Sequence, residues 1–461
     1  MAAIIKRGNS YGIKFYYKDT DGSTKQGWIG GLTEEEAKKK GAEIEWQIEN
    51  GTFIPPNPMT VKELCEKWLP IQSSKHRWCP STYTNSRARC LNQIYPYLGD
   101  KAVQKVTKMD IEQLYATLSQ TPCGLYREGK RQNLTDKQKE RLLSSTTIHE
   151  VHTLLRTVFS YAVEWGLIQT SPVPSEGPKF ESEERKIWDD QTTARAMDSM
   201  DDPLLHLAVH LSFVTSLRPG EMLGLTPEDL DFEAANGMGC ITVDKSLQRV
   251  NKEALAKTDH RQIVRVFPDK REASSSSLIL KKPKTKRSKR VLYMTAPLKQ
   301  ELKEWLERLR REEAADPDKY INSGMLFRLP NGAVVEQTLI RKKFEQWQAE
   351  HPEFGEIVFY GLRHSSATYQ LKVSGGDIKA VQGNTGHAQA GILMNTYAHI
   401  QDAPRMELVG KIEDSFYRHL EQKPQEESVQ TAQNLSCETL LMLLKNASAE
   451  EKREFARTLF A

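Results

Sequence analysis

The chain has 461 residues, past the roughly 250–300 at which single hydrophobic cores stop growing, so several domains are expected. With 38% hydrophobic and 27% charged residues it reads as globular; no run of about 18 apolar residues offers a membrane span, and MAAIIKRGNSYG lacks the apolar stretch of a secretory leader. Six scattered cysteines with no CxxC pair argue against a zinc ribbon or a disulfide framework and for a reducing cytoplasm, while a net charge of +4 says little about partners until its distribution is read.

Residues 3–30 predict three strands. Tyr11, Ile13, Phe15 and Tyr17 alternate with Gly12, Lys14 and Tyr16, and turns fall at Gly8-Asn9-Ser10 and Asp19-Thr20-Asp21-Gly22. Thr33-Glu34-Glu35-Glu36 is a capping box opening a helix that stops at Gly51. Phe53-Ile54-Pro55-Pro56-Asn57-Pro58 reads as a stiff linker. From Thr60 the period becomes helical: Val61, Leu64, Trp68 and Leu69 share a face, and further helices are expected over about 80–97, 109–118 and 144–165. Thr121–Arg141, polar and basic, reads as a solvated insertion, and Ser171-Pro172-Val173-Pro174 opens a second linker. Beyond 186 the pattern is mixed. Helices are expected at 204–215, 336–350, 361–373, 377–384 and 389–399, and strands at 239–247 and 290–294; a polar spacer over 421–433 precedes helical patterns at 437–445 and 449–459.

Several chemistries are excluded by spacing. His149-Glu150-Val151-His152 is not HExxH, and no GxxxxGK[ST] loop suggests coupling to ATP. His206 and His210 stand one turn apart without a nearby acid in the sequence, so they read as helix packing rather than metal ligands. What remains is spread over the last 220 or so residues. Thr215-Ser216-Leu217-Arg218-Pro219-Gly220-Glu221 puts an arginine at a tight turn. Pro283-Lys284-Thr285 lies in Lys281–Arg290, seven basic residues in ten, ahead of a strand. Tyr360-Gly361-Leu362-Arg363-His364 opens a helix, and Thr385-Gly386-His387 precedes Asn395-Thr396-Tyr397-Ala398-His399, with His387 and Tyr397 ten residues apart.

In order and spacing these motifs resemble the signature of the tyrosine recombinases, the phage-integrase family. The resemblance covers about 3–420 and is tightest at the four motifs. It implies a multi-domain α+β protein: a three-stranded-sheet-plus-helix domain (1–54) binding arm-type DNA sites, an all-helical core-binding domain (59–175) and a mixed, mainly-α catalytic domain (186–420). Outside the resemblance, the tail (421–461) carries the apolar cluster Leu440, Leu441, Leu443 and Leu444, and its helices could dock on a neighbouring subunit or fold back on their own catalytic domain. The resemblance further implies that double-stranded DNA is cut and rejoined at specific sites through a 3′-phosphotyrosyl link to Tyr397, by a homotetramer with accessory DNA-bending or directionality proteins, without metal, nucleotide or other cofactor.

The chemistry accounts for the set. A phosphodiester resists attack because its non-bridging oxygens repel nucleophiles and its alkoxide leaves poorly. Two guanidiniums, Arg218 and Arg363, can fork those oxygens and offset the charge of the transition state. Lys284 can protonate the leaving 5′ oxygen, although Lys282 or Lys286 beside it could do the same; His387 can bond the phosphate or move a proton. Tyr397 is both nucleophile and fair leaving group, so a second 5′-OH can displace it. Glu221 is expected to orient Arg218, and His399 to play a structural part. Tyr360 stands where the family usually has His; a phenol donates a hydrogen bond but carries no imidazolium charge near neutrality. Lys6, Arg7 and Lys14 on the small sheet, and Lys282, Lys286 and Arg287 on the hairpin, are candidate DNA contacts. A catalytically silent regulator on the same fold and a type IB topoisomerase are the competing readings.

Overall fold

The computed structural model describes residues 2–18, 22–179, 186–269, 273–283, 289–386, 409, 442 and 444–459. Strands β1 (Ala3–Arg7), β2 (Ser10–Lys18) and β3 (Thr24–Leu32) form an antiparallel meander, and α1 (Glu34–Glu49) crosses it. The capping box is made as expected: Glu36 N donates to the Thr33 hydroxyl, and Thr33 N donates to the Glu36 carboxylate at 2.9 Å. Alternation along β2 turns Ile13 and Phe15 toward Ala37 and Ile44 of α1, and Phe53 closes this small core with ring contacts to Phe15 and Tyr17. The stretch after Phe53, read as a spacer, is in fact fastened to the helices that follow. Gln104 donates to Pro55 O at 2.9 Å and accepts from Asn57 N at 3.0 Å, and Gln169 donates to Thr52 O at 3.4 Å.

The second core is helical. It comprises α2 (Val61–Lys75), α3 (Pro80–Arg89), α4 (Tyr95–Leu98), α5 (Lys108–Ser119) and α7 (Ser145–Glu164), with Leu64, Trp68, Ile94, Ile111, Leu118, Leu155 and Phe159 fully buried. The single helix expected over 80–97 is interrupted by a π turn at Cys90–Ile94. Pro96 follows directly, inside backbone that stays helical through the π turn, where it has no N–H to give to the preceding turn. Thr121–Arg141 is not a bare loop either: it holds the hairpin β4 (Tyr126–Arg127) and β5 (Lys130–Arg131) and the short α6 (Asp136–Lys139), whose residues remain outside the core.

The third core is mixed. It begins with α8 (Asp190–Asp198), α9 (Pro203–Thr215) and the one-turn α10 (Pro219–Met222). The strand expected over 239–247 is two strands in different sheets, β7 (Cys240–Val243) and β8 (Ser246–Asn251), broken where Lys245 Nζ reaches Asp229 at 2.6 Å. β7 lies between β6 (Leu230–Asp231) and β11 (Arg290–Tyr293). β8 instead pairs with β10 (Ser276–Lys281), which pairs with β9 (Ile263–Val266), so a second sheet is inserted in the chain between β7 and β11, with a helix, α11 (Lys252–Ala256), directly after β8. Helices α12 (Ala296–Ala315), α13 (Gln337–Glu350), α14 (Gly361–Val373) and α15 (Ile378–Thr385) complete the series.

Apolar residues of both sheets meet the helices in one cluster, among them Ile241, Leu280, Leu292, Leu207, Leu302, Phe344 and Leu362. The fold also supplies the acid that the sequence does not place beside His206 and His210. Glu301 of α12 bonds both rings, at 2.7 and 2.5 Å, tying α12 to α9. Among the described residues no cluster suits a metal ion and no helix is long and apolar enough to cross a membrane.

Leu371–Ile378 and the residues from Gln389 onward form a separate compact unit. Within it the helix Ala449–Leu459 starts where expected, with Ser448 N donating to Glu451 at 2.8 Å. The helix expected over 389–399 lies outside the described residues, as does most of that over 437–445.

Phe344 is fully buried and meets Trp188, Trp347 and Phe359. Phe344→Ala should lower stability by about 3–5 kcal/mol, measured as the shift in the urea midpoint of the catalytic domain's unfolding.

Candidate active site

Helix α9 ends at Ser216 in the left-handed region, φ 52°, an uncommon conformation for a residue with a Cβ. It is held by side-chain bonds: Ser216 Oγ lies 2.5 Å from Ser366 Oγ, and Gln370 Nε2 donates to Ser216 Oγ at 3.2 Å. The reversal buries Leu217 and leaves Arg218 as the residue preceding α10, its side chain 37% exposed. Pro219 and the two glycines that follow have separate reasons. Proline suits the first helical position, a Cβ on Gly220 would come within 2.9 Å of Leu247 O, and one on Gly224 within 2.9 Å of Ser246 Cα and 3.0 Å of Leu247 N. Helix α10 therefore rests directly on the backbone of β8.

Arg363, in the first turn of α14, is only 1% exposed. Its two terminal nitrogens donate to main-chain carbonyls, one to Ser216 O and the other to Thr385 O at 2.6 Å. Burial first, and the nearby Arg218 charge next, pull its pKa down to about 10, so it stays cationic at neutral pH. The fork expected to hold phosphate oxygens thus joins the Arg218 turn to the turn that leads into His387.

Glu221 does more than orient Arg218. It is buried, accepts from Arg218 N at 3.1 Å and from Arg218 Nη1 at 2.8 Å, and also accepts from Arg290 Nη2 at 2.8 Å. Burial alone would raise its pKa, but the hydrogen bond and charge of Arg290, with the charge of Arg218, outweigh it and hold the carboxyl at about 2. Arg290 was missed as a site residue, since in the sequence it is one of seven basic residues in a row of ten. Its side chain is only 6% exposed; Nε donates to Asn384 O at 2.9 Å, and a Cβ on Gly386 would fall 2.9 Å from its Nη1. Gly386 also has φ +65°, so two independent constraints require glycine in Thr385-Gly386-His387. The one signal available in sequence was Glu221, a carboxylate that burial would oblige to find strong partners.

Tyr360 is half-buried, its ring meeting the edge of the buried His364 at 5.2 Å between centroids. The hairpin expected around the basic stretch is not formed by its flanking strands, since β10 pairs with β8 and β9 while β11 pairs with β7; Lys282 is exposed just past the end of β10, its backbone N donating to Gln262 O at 2.7 Å. Lys284, Lys286, Arg287, His387, Tyr397 and His399 lie outside the described residues. On the small sheet, Arg7, Lys14, Tyr16 and Trp28 share the face away from α1, with the Arg7 guanidinium 4.7 Å from the Trp28 ring. Lys6 does not join them. It pairs with Tyr11 in register and stands on the α1 side, near Glu34.

Residues 190–403 match the model of the phage integrase family, and residues 60–119 that of the phage integrase N-terminal SAM-like domain. The chain belongs to the phage integrase family. It is similar to a tyrosine recombinase XerC-like protein of Caldanaerobacter subterraneus subsp. tengcongensis, 24% identical over 410 residues that make up 87% of this chain and 94% of that protein. Its fold is that of the Tn1549 transposon integrase, solved in complex with transposon right end DNA: 18% identity, TM-score 0.54, covering 77% of this chain and 99% of that one. A lambda integrase dimer bound to a COC′ core site has TM-score 0.50 at 14% identity, over 75% of this chain and 98% of that one. Site-specific DNA recombination is the reaction class of this phage-integrase member; neither a silent regulator nor a type IB topoisomerase is favoured.

Because the folded pKa of Glu221 is depressed, its contribution to stability is complete above its ordinary value of 4.5 and fades as pH falls toward about 2. Glu221→Gln leaves two guanidiniums without their carboxylate and should cost about 3–5 kcal/mol. Its stability should also vary less than the wild type's over that acid range, as equilibrium unfolding against pH would show.

Proposed function

We propose that Tyr397 passes its phenol proton to His387 as it attacks the scissile phosphate, forming a 3′-phosphotyrosyl bond while the bond to the 5′ oxygen breaks and that oxygen leaves with a proton from Lys284. A second 5′-OH then reverses the step on the partner strand, so the bond energy is conserved and no step calls for a metal or a nucleotide. The observation that carries this reading is the Arg363 bridge. By holding Ser216 O and Thr385 O together, it brings the half-exposed Arg218 and the segment entering His387 to one place. Arg218 is then the guanidinium with room to meet a non-bridging oxygen. Arg363 contributes positive charge from within and sets the frame, and Tyr360 offers a phenol where an imidazole is usual.

The same reading gives the other domains their parts. The helical domain grips duplex DNA opposite the catalytic domain, and the open sheet face with Arg7, Lys14, Tyr16 and Trp28 lies on an arm-type site. Four protomers act together on two duplexes, coupled through residues after Tyr397, in the cytoplasm and with accessory proteins that bend the DNA.

Tyr397→Phe should abolish the covalent protein–DNA adduct on a nicked duplex while leaving the gel shift intact. Arg218→Ala should slow adduct formation by about 10²–10³. Adduct from the Phe variant at the wild-type level would sink the assignment.

Deleting residues 1–55 should remove binding to an arm-type site and spare core cleavage. The replacement of Arg7 and Lys14 by Ala should reproduce much of that loss, and replacement of Lys6 should not. Equal effects from all three in a gel-shift titration would contradict the face assignment.

A further inference from the structure

The insertion between β8 and β10 carries a helix that packs one residue into the core of another domain. α11 leaves the end of β8, in the catalytic domain, yet Ala254 is 2% exposed and belongs to the core of the helical domain. Around it, Ser73 Oγ near the end of α2 donates to Lys257 O at 3.3 Å, Arg87 of α3 lies 3.8 Å from Glu253, and Lys257 Nζ stands 5.8 Å from the Tyr83 ring. Ser73 and Tyr83 are themselves buried. The covalent connection between the two domains leaves by a different route. After α7 the chain runs along that helix, with Arg156 donating to Ser175 O at 3.3 Å and His149 Nδ1 3.4 Å from Pro178 O. Among the described residues the helical and catalytic domains are therefore joined by more than the chain: α11 forms a second junction, together with the β8 strand it follows, which also lies against α3.

We propose that α11 is a latch that closes these two domains into a ring around duplex DNA, and that it must release before DNA without a free end can enter. The proposal rests on the reading above, in which the two domains grip the duplex from opposite sides. The chemistry of the contact suits a part that opens and closes. It consists of one alanine, one neutral hydrogen bond, an ion pair whose side chains are 33% and 44% exposed, and a cation beside a ring. Exposed ion pairs of this kind hold weakly and weaken further with salt. The latch also has a mechanical link to the active site. β8 is six residues, about 20 Å of extended chain; its first residues carry α10 and Arg218, and its last leads into α11. Closing the latch fixes the strand on which the Arg218 turn rests.

The test is topological and uses the full chain. With the exposed Cys123 replaced by serine, Arg87→Cys and Glu253→Cys, at the accessible ion pair of the contact, are joined by a short bis-maleimide, and the intramolecular product is purified. Added to a covalently closed circular plasmid at low salt, the pre-linked protein should fail to bind, whereas on the linearised plasmid it should bind by threading from the ends. Linked after it has loaded on the circle, it should survive a high-salt wash and come off when the plasmid is cut once. Pre-linked protein that binds the circle as well as unlinked protein does would overturn the latch. So would post-linked protein that washes off the intact circle. Ala254→Glu, which opens the contact without cross-linking, should load on the circle faster and leave it faster; unchanged rates count against the proposal. Unlinked protein that binds neither plasmid form overturns the recombinase reading, and the latch with it. Normal unlinked binding combined with loading of the pre-linked protein on the circle overturns the latch alone.

Discussion

A buried guanidinium must be matched by acceptors wherever it lies, and Arg363 meets that demand with the carbonyls of Ser216 and Thr385. Those two carbonyls end two helices from distant parts of the chain, α9 and α15. The arginine therefore decides how the Arg218 turn stands relative to the segment entering His387. Around it the charge does not balance: Arg218, Arg290 and Arg363 surround one buried carboxylate, Glu221. The mutual repulsion shows in the lowered pKa of Arg363 and the attraction in the lowered pKa of Glu221. An excess of fixed positive charge, held by neighbours rather than by solvent, is what a phosphodiester gaining charge in its transition state requires.

Rigid backbone contacts extend that arrangement outward. Gly224 allows α10 to rest on β8, and Gly386 allows Arg290 to lie under the turn before His387. Arg290 stands at the start of β11, as the last residue of the basic stretch that holds Lys284, so the strand following the proposed acid is pinned to both Glu221 and Asn384. The insertion, which has no part in the catalytic motifs, reaches the helical domain through α11. In this chain the elements that hold the proposed catalytic residues also hold the domains to one another.

The elements that were legible in the sequence are those governed by local rules. The capping box at Thr33, the alternation along β2 and the long apolar face of α7 depend on residues a few positions apart, and they fold as read. The misreadings have an opposite cause. The break at Asp244-Lys245 follows from the partner Asp229, the anchoring of the Pro-rich stretch from Gln104 and Gln169, and the His206–Glu301–His210 bridge from a helix about 90 residues away. None of these has a signal within its own segment.

The sequence by itself determined the kind of chemistry. Arginines, a lysine, a histidine and a tyrosine are groups that phosphoryl transfer can use, their order and spacing carry the resemblance to the tyrosine recombinases, and side-chain identity is written directly in the chain. Tertiary structure alone decided which of these groups face outward and which brace the others. Arg218 and Arg363 look equivalent as letters, yet one is half-exposed and the other is sealed against two carbonyls. Lys6, Arg7 and Lys14 look like one basic patch, yet the two-residue period and the side on which α1 lies put Lys6 on the other face. Arg290 looks like any cation of a solvated run until Glu221 is buried beside it. In each case the deciding quantity is burial, which depends on what long-range packing brings against the residue and so cannot be read from its neighbours in sequence.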